Sequence, residues 1–209
     1  MRVQGLFAVL SAAVAAQAAS QDATPVTGNP PGVVYKATLP EAPFFSQAAL
    51  AGNIKGHITA RSPPDGNGVK FTIHFENFPK EGGPFLYHIH VDPAVDGNCT
   101  KTGAHLDPFN RGEDPPCDAS NPASCQVGDL SGKYGKITKD PFNVEYVDPF
   151  VSLKEGDAAF FGNRSFVVHY ANKTRITCAN FAKKEAPVET GCPETTLSAP
   201  TTGPTGTGS

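Results

Sequence analysis

The chain alternates apolar and polar residues over short runs, and clusters of glycine, proline, asparagine and aspartate separate these runs. A period of two is the pattern of a half-buried β-strand, because successive side chains point to opposite faces. No stretch keeps a helical period beyond a turn or two, and Gly 21 and Pro 20 favour turns over long helices. We therefore expect about seven to eight short strands in an all-β fold, an antiparallel sandwich or barrel. The runs are 33–39, 50–60, 69–78, 85–91, 140–153, 164–170 and 174–181.

The runs at 50–60 and 69–78 are joined by the turn cluster RSPPDGNG, which predicts a hairpin. Each run carries one histidine, His57 and His74. A lone histidine on a strand is more often a surface or hydrogen-bonded residue than a metal ligand. We therefore leave both histidines out of the candidate site.

The two ends of the chain differ in composition from the middle. Residues 1–19 combine Arg2, the apolar run LFAVLSAAVAA and a small-residue sequence at 16–18, the build of a secretory signal peptide. Residues 20–32 are polar with three prolines and predict a flexible arm. A single domain is expected at 33–188, and the Thr, Pro, Gly and Ser-rich residues 189–209 predict a disordered tail.

Charge and hydropathy exclude some partners. The formal net charge is -3 with 18% charged residues, so no basic field favours nucleic acid or an anionic membrane. No stretch after the signal peptide is long and apolar enough to span a bilayer. We expect an exported protein, extracellular or in the cell wall, and a monomer.

Export makes the five cysteines candidates for disulfides. Two bridges would leave one cysteine over, and counting alone allows about fifteen schemes. Cys117 and Cys125 are eight residues apart, a spacing at which a bridge closes a small loop. Three glycosylation sequons begin at Asn98, Asn163 and Asn172.

Histidines supply the candidate chemistry. The run 85–91 carries His88 and His90, which alternation places on one face of a strand. His105 follows in a long irregular span, 92–126, and His169 lies in the apolar run RSFVVHY. Loops of that length inside a compact domain are usually functional.

Four imidazoles brought together suit copper or zinc, whereas calcium and magnesium prefer oxygen ligands. Zinc sites with four protein ligands are usually rich in thiolate, and hydrolytic zinc sites keep one position for water. Copper accepts imidazole in both of its oxidation states. The pattern favours a redox copper site, with zinc and a non-metal role for some histidines as the alternatives.

Several ordered motifs resemble the copper and zinc superoxide dismutase superfamily, and within it the secreted copper-only enzymes of fungi. The resemblance runs from about Gly52 to Phe181. It rests on HIH at 88–90, Cys99 six residues before the histidine of GAHLDP, VGDLSG at 127–132, VVHY at 167–170 and TRITC at 174–178.

The resemblance implies a Greek-key β-barrel of eight strands with a long active-site loop. It implies one copper ion held by His88, His90, His105 and His169, with His105 at the family's metal-bridging position. Cys99 and Cys178 would form the family's disulfide, which ties the active-site loop to the barrel wall. Arg175 falls where the family places the arginine that guides superoxide to copper.

The chain departs from the copper-zinc pattern. No histidine lies between His105 and His169, and Gln126 stands where a zinc histidine would be. Asp129 stands at the aspartate position, but a zinc ion held by His105 and Asp129 alone would be under-coordinated. Zinc is therefore not expected. In the copper-only branch an acidic residue is expected near position 126, where it orients the histidine that corresponds to His105. Because position 126 is glutamine here, we assign that role to Asp129, with turn capping as the alternative for Asp129, and keep Gln126 as a second residue behind the ligands.

The resemblance predicts a secreted copper-dependent superoxide dismutase that converts superoxide to oxygen and hydrogen peroxide through Cu(II) and Cu(I). The filled ligand positions and Arg175 favour catalysis. Gln126 keeps a second hypothesis open, a non-catalytic copper-binding protein on the same fold.

Overall fold

Eight β-strands make up most of the regular structure in the computed structural model, which describes residues 21–42, 44 and 52–184. The strands are β1 Val34–Thr38, β2 Lys55–Arg61, β3 Val69–Glu76, β4 Leu86–His90, β5 Phe142–Asp148, β6 Ser165–His169, β7 Arg175–Asn180 and β8 Ala182–Lys184. One short helix, α1, spans Leu130–Tyr134, and two 3₁₀ turns span Cys99–Thr102 and Pro122–Ser124. The predicted all-β class is confirmed.

The strands form two antiparallel sheets. The larger sheet has the order β5-β3-β2-β1-β8 and the smaller one β4-β6-β7. The chain passes to the smaller sheet after β3, returns for β5 and passes over again for β6 and β7. Only Phe181 separates β7 from β8, so one stretch of chain contributes to both sheets.

The predicted hairpin is confirmed, because β2 pairs along its full length with β3, from Lys55↔Glu76 to Arg61↔Lys70. The burial pattern of β3 alternates strictly between buried and less buried residues, as the sequence pattern predicts. Its inward side chains join one core that both sheets share. The largest fully buried side chains there include Phe71, Phe75, Tyr87 and Phe166.

Residues 21–32 differ from the expected flexible arm. The backbone N–H groups of Ala23 and Val26 donate to Ala123 and Pro149, each at 2.7 Å, and both arm side chains are buried. Asn29 is buried as well: its Nδ2 donates to the Gly68 carbonyl at 2.7 Å and its Oδ1 accepts from Leu153 N at 2.8 Å. These few residues hold the arm in place through hydrogen bonds to residues distant in sequence. The polar, proline-rich composition of the arm does not predict such contacts.

A buried ion pair lies within the core. Lys133 of α1 and Asp148 at the end of β5 have fully buried side chains and are in contact. Lys133 Nζ also donates to the Val127 carbonyl at 2.8 Å, and Asp148 Oδ1 accepts from the N–H groups of Phe150 and Val151. The pair therefore joins α1 to the end of β5.

The predicted signal peptide at 1–19 and the predicted tail at 189–209 lie outside the described residues, as does Cys192. Within the described ranges, no helix has the length and apolar character needed to cross a bilayer.

Candidate metal centre

Four histidines from separate parts of the chain come together at one side of β4. His88 and His90 lie in β4, His169 ends β6, and His105 lies in the long span after β4. The intervening residue of β4, Ile89, is fully buried in the core. Alternation in the strand therefore places both β4 histidines on the opposite face, as the sequence pattern predicts.

Three backbone hydrogen bonds join the segments that carry these histidines. Ile89 N donates to the Gly128 carbonyl at 2.9 Å, Gly128 N to the Leu106 carbonyl at 2.7 Å, and Leu106 N to the Ile89 carbonyl at 2.8 Å. A side chain at Gly128 would place its Cβ 2.3 Å from the Ile89 carbonyl oxygen. Glycine at 128 is what permits this close approach, and the approach places His105 against β4.

Each of the four histidines uses one ring nitrogen for a contact outside the cluster. His90 Nδ1 lies 2.9 Å from the Gly103 carbonyl, and His169 Nδ1 lies 2.9 Å from the Lys173 carbonyl. A carbonyl accepts only, so both Nδ1 atoms carry the proton. The Nε2 atoms of His90 and His169 are then lone-pair donors turned toward the cluster.

His105 is held by Gln126. His105 Nδ1 lies 2.7 Å from Gln126 Oε1, and Gln126 Nε2 donates to Asp107 Oδ2 at 3.2 Å. Asp107 fixes which end of the amide faces the histidine, because a carboxylate accepts hydrogen bonds from the NH₂ end. His105 Nδ1 therefore donates, and its Nε2 is free for a metal.

His88 is turned the other way. Its Nε2 lies 3.1 Å from Ser131 Oγ and 3.4 Å from Asp129 Oδ1. Its Nδ1 is buried with no hydrogen-bond partner. A buried polar atom without a partner is costly, so this nitrogen has the character expected of a metal ligand.

The four ring nitrogens that make no contact outside the cluster are close enough to bind one metal ion. One ligand nitrogen from each of His88, His90, His105 and His169 can be chosen so that all four lie within 4.8 Å of one another. His90 Nε2 and His169 Nε2 are 3.1 Å apart. Two facing lone pairs at that distance repel unless a cation lies between them, and metal–imidazole bonds measure about 2.0–2.1 Å. The donor set is all-nitrogen and favours copper or zinc over calcium or magnesium.

Burial favours the neutral form of three of the four histidines. It lowers the pKa of His90 to about 2, of His105 to about 4 and of His169 to about 3, and the neighbouring imidazoles contribute to each shift. Neutral imidazole is the form that binds metal. Protons therefore compete only weakly with a metal ion for the ring nitrogens of these three histidines.

The predicted role of Asp129 differs from its position in the structure. Asp129 lies beside His88, whereas Gln126 is the residue that orients His105. Asp129 also caps α1, since its Oδ1 accepts from Gly132 N at 2.7 Å. Burial alone would raise the pKa of Asp129, but the contact with His88 and the Gly132 N–H outweigh burial and lower it to about 2.

Thr102, whose Oγ1 lies 3.1 Å from His90 Nδ1, was missed in the sequence. So were two further partners, Ser131 beside His88 and Asp107 behind Gln126. Both lie in segments that carry the family motifs, VGDLSG and GAHLDP. Their side-chain types did not single them out, because serine and aspartate are common in turns. Only the tertiary contacts reveal their roles.

A cavity of about 550 Å³ opens beside the four histidines. Arg175 lines it and is half-buried; its guanidinium donates to the carbonyls of Thr100 at 3.0 Å and Gly103 at 2.6 Å. The cavity is also lined by the charged residues Arg111, Glu113, Asp129, Lys136 and Lys173. Arg175 therefore adds positive charge to the approach and holds the loop carbonyl that contacts His90.

The described residues contain two disulfides, and one of them borders the cavity. Cys99–Cys178 connects the 3₁₀ turn after β4 to β7, and Cys117–Cys125 closes a loop whose two cysteines line the cavity. The first pair is the one that the family resemblance implies.

The remaining predicted positions lie away from the cluster. Asn163 and Asn172 are exposed, and Asn98 is half-buried, with its Oδ1 accepting from Thr100 N at 2.9 Å. Their glycosylation stays a prediction. His57 and His74, left out of the site, belong to the larger sheet and do not join the cluster.

Comparison with known proteins places these features in a family. The copper/zinc superoxide dismutase family model matches residues 54–188. The chain is 41% identical over 197 residues to the cell surface Cu-only superoxide dismutase of Arthroderma benhamiae, covering 80% of this chain and 51% of that protein. It is 38% identical over 130 residues to the cell surface Cu-only superoxide dismutase 5 of Candida albicans, covering 61% of this chain and 54% of that protein. The chain spans about half the length of these curated relatives.

The fold agrees with a solved member. The structure of Candida albicans superoxide dismutase 5 with Cu(II) matches with a TM-score of 0.63 and 31% identity, over 74% of this chain and 94% of that one. The resemblance inferred from the motifs is thereby confirmed. From its strands to its histidine cluster, the chain belongs to the copper/zinc superoxide dismutase family.

Proposed function

We propose that this chain is a secreted copper-dependent superoxide dismutase that holds one copper ion and no zinc. The observation that carries the proposal is the convergence of four histidines, each with one nitrogen engaged outside the cluster and the other turned inward. The ligands would be His88 Nδ1 and the Nε2 atoms of His90, His105 and His169. The Cu-only relatives named above support the choice of copper.

Bound copper would supply one-electron chemistry, alternating between Cu(II) and Cu(I) as superoxide becomes oxygen and hydrogen peroxide. The protein's share is to hold the imidazoles in place and to attract a small anion. Carbonyl, amide and hydroxyl partners behind the ligands orient them, and such partners are worth about 10–100-fold in metal affinity. Arg175 supplies positive charge at the cavity wall, which raises the local concentration of an anionic substrate.

The absence of zinc is supported by the residues beside His105. Gln126 is a neutral amide already engaged by His105 and Asp107, and Asp129 is engaged by Gly132 and His88. Among the described residues, the four histidines form the only group of three or more candidate ligands close enough to share an ion. A zinc site needs a further set of ligands, which these residues do not supply.

The cellular setting is also part of the proposal. The predicted signal peptide, the two disulfides and the cell surface relatives support export to the extracellular space or the cell wall. We expect a monomer, which gel filtration of the exported protein would test.

A superoxide-consumption assay on the copper-loaded protein, with metal analysis of the same sample, tests the function. We expect one copper per chain, negligible zinc and rapid consumption of superoxide. His88→Ala and His169→Ala should each lose the copper and the activity together. Full activity in either variant would contradict the ligand assignment.

The second candidate, a non-catalytic copper-binding protein, is favoured by one observation. Gln126 stands where the copper-only branch is expected to have an acidic residue. Tight binding of one copper without superoxide consumption would establish the binding protein and reject the enzyme.

A further inference from the structure

The two histidines outside the metal centre directly face each other. The chain has six histidines, and four of them form the cluster beside β4. The other two, His57 on β2 and His74 on β3, are register partners in the larger sheet. His57 is half-buried and His74 is exposed, so the pair is open to solvent.

The local backbone holds the two strands close together at this point. Gly56, next to His57, has a φ of +119°, and a Cβ there would lie 1.9 Å from the His74 carbonyl oxygen. Only glycine tolerates that approach. Directly paired residues on one face of an antiparallel sheet have Cβ atoms about 4.5–5.5 Å apart, so the side chains at 57 and 74 are held as neighbours.

The ring geometry is within the range seen in the metal centre. The centroids of His57 and His74 are 6.3 Å apart with an interplanar angle of 50°. Two histidine pairs within the four-histidine cluster have similar centroid distances: 6.3 Å for His105–His169 and 6.2 Å for His88–His90. Imidazoles at this separation can share one ion through a nitrogen from each.

Further donors surround the pair. His74 Nδ1 is in contact with Asn143 Oδ1 from β5, its register partner on the other side. This contact holds the His74 ring and leaves its Nε2 for a ligand. Glu76 is two residues beyond His74 and is also exposed, so it presents a carboxylate on the same face.

We propose that His57 and His74 form a second, solvent-accessible site for a divalent transition metal, with Cu²⁺ the preferred ion. Two imidazole nitrogens would bind the ion, and water or a nearby side-chain oxygen would complete its coordination. Divalent copper lies at the top of the affinity order for nitrogen ligands, and imidazole does not favour calcium or magnesium. This site lies on the larger sheet, whereas three of the four inner ligands lie on the smaller one.

Nearby charges affect how tightly the His57–His74 pair binds a metal ion. Burial, then the charge of Lys36, then His74 lower the pKa of His57, which favours the neutral, metal-binding form of this imidazole. The same Lys36 charge repels a metal cation. With two imidazoles instead of four, the outer site binds more weakly than the inner one and exchanges its ion more readily.

The test is a titration with Cu²⁺ of protein whose inner site already holds one copper. Native mass spectrometry should report a second equivalent, and its electron paramagnetic resonance spectrum should show coupling to two nitrogens. His57→Gln and His74→Gln should each weaken this second equivalent at least about tenfold, since losing a ligand costs at least as much as losing an orienting partner. Both positions are accessible to solvent, so the inner copper signal should persist in each variant.

Thr72→Ala is the matched control, because Thr72 is exposed on the same face of β3, two residues before His74. It should bind the second equivalent as the wild type does. A wild type that takes up one copper only, or a His57→Gln/His74→Gln double variant that binds the second as tightly, would overturn the proposal.

The outer site does not depend on the proposed dismutase activity, and His88→Ala separates the two. This variant should lose the inner copper and still bind one Cu²⁺ that His57→Gln removes. If the inner ligand assignment is wrong, the outer binding event remains; if the outer site is wrong, the inner copper alone is seen.

Discussion

At the scale of single residues, the side chains behind the histidines decide how the ligands are presented. Gln126 is a neutral amide that accepts from His105 and donates to Asp107, so its two ends are assigned by its two neighbours. Asp107 in turn accepts from the N–H groups of Arg111 and Gly112 at 2.9 and 2.8 Å. The orientation of His105 is therefore determined through a hydrogen-bonded chain that ends in the backbone of the loop.

Replacing Gln126 should weaken copper binding. Gln126→Leu removes the acceptor for His105 Nδ1, and we expect copper affinity to fall about 10–100-fold. Gln126→Glu restores an acceptor but brings a carboxylate against Asp107, so its affinity should lie between those of the wild type and the leucine variant. Competition with a chelator measures all three, and equal affinities would show that Gln126 does not position His105.

Replacing Arg175 should lower the rate of superoxide consumption more than it lowers copper binding. Arg175→Ala removes a positive charge from the cavity wall, and we expect superoxide consumption to fall by roughly tenfold at low salt while copper stays bound. Arg175→Lys keeps the charge but loses the forked donation to the Thr100 and Gly103 carbonyls, so it should recover part of the rate.

The control for this charge is Arg61→Ala, an exposed arginine at the end of β2. It should leave the rate unchanged. Equal rates for the Arg175→Ala variant and the wild type across ionic strengths would argue against an anion-guiding role.

At the scale of the elements, seven of the eight strands in the described residues fall on predicted runs, whereas β8 and the irregular segments were not predicted. Runs such as 69–78 alternate cleanly, and the structure places β3 within two residues of each end. The five residues of α1 lie outside all the predicted runs, because one helical turn is too short to show a period. Its helix is set by the Asp129 cap, a local contact that the periodicity of apolar residues does not report.

The two disulfides should differ in their effect on stability. Their cysteines are 79 and 8 residues apart, and the chain-entropy model gives about 4.5 kcal/mol for the longer loop and about 2.5 kcal/mol for the shorter. The Cys99→Ser/Cys178→Ser variant should therefore lose more free energy of unfolding than Cys117→Ser/Cys125→Ser. Urea unfolding compares them, and an equal loss in the two variants would contradict this ranking.

At the scale of the whole molecule, one core supports both sheets, and the metal ligands come from residues far apart in the chain. Alternation in β4 predicted that His88 and His90 share a face. The sequence pattern already grouped His105 and His169 with them, and the family motifs then assigned all four as copper ligands. The hydrogen-bond partners at 107 and 131 were not predictable, because each depends on how distant segments pack. The contacts of the 21–32 segment were not predictable for the same reason, since its partners lie up to 127 residues away, as Lys154 does from Thr27.

Breaking the buried Lys133–Asp148 pair should destabilise the whole fold. Lys133→Met leaves Asp148 as an unpaired charge in the core, and we expect a loss of about 3–5 kcal/mol in the free energy of unfolding. Adding Asp148→Asn removes that charge while keeping an oxygen for the Phe150 and Val151 N–H groups, so the double variant should recover part of the loss. A double variant no more stable than the single one would show that the unpaired charge is not the cause.

The hydrogen bonds among Ile89, Leu106 and Gly128 involve only main-chain atoms. The scaffold around the centre consequently does not depend on which side chains occupy positions 88, 90 and 105. These three main-chain hydrogen bonds would remain available if carboxylates or thiolates replaced the imidazoles there. The centre is thus a candidate framework for engineering other metal chemistries, provided that position 128 stays glycine.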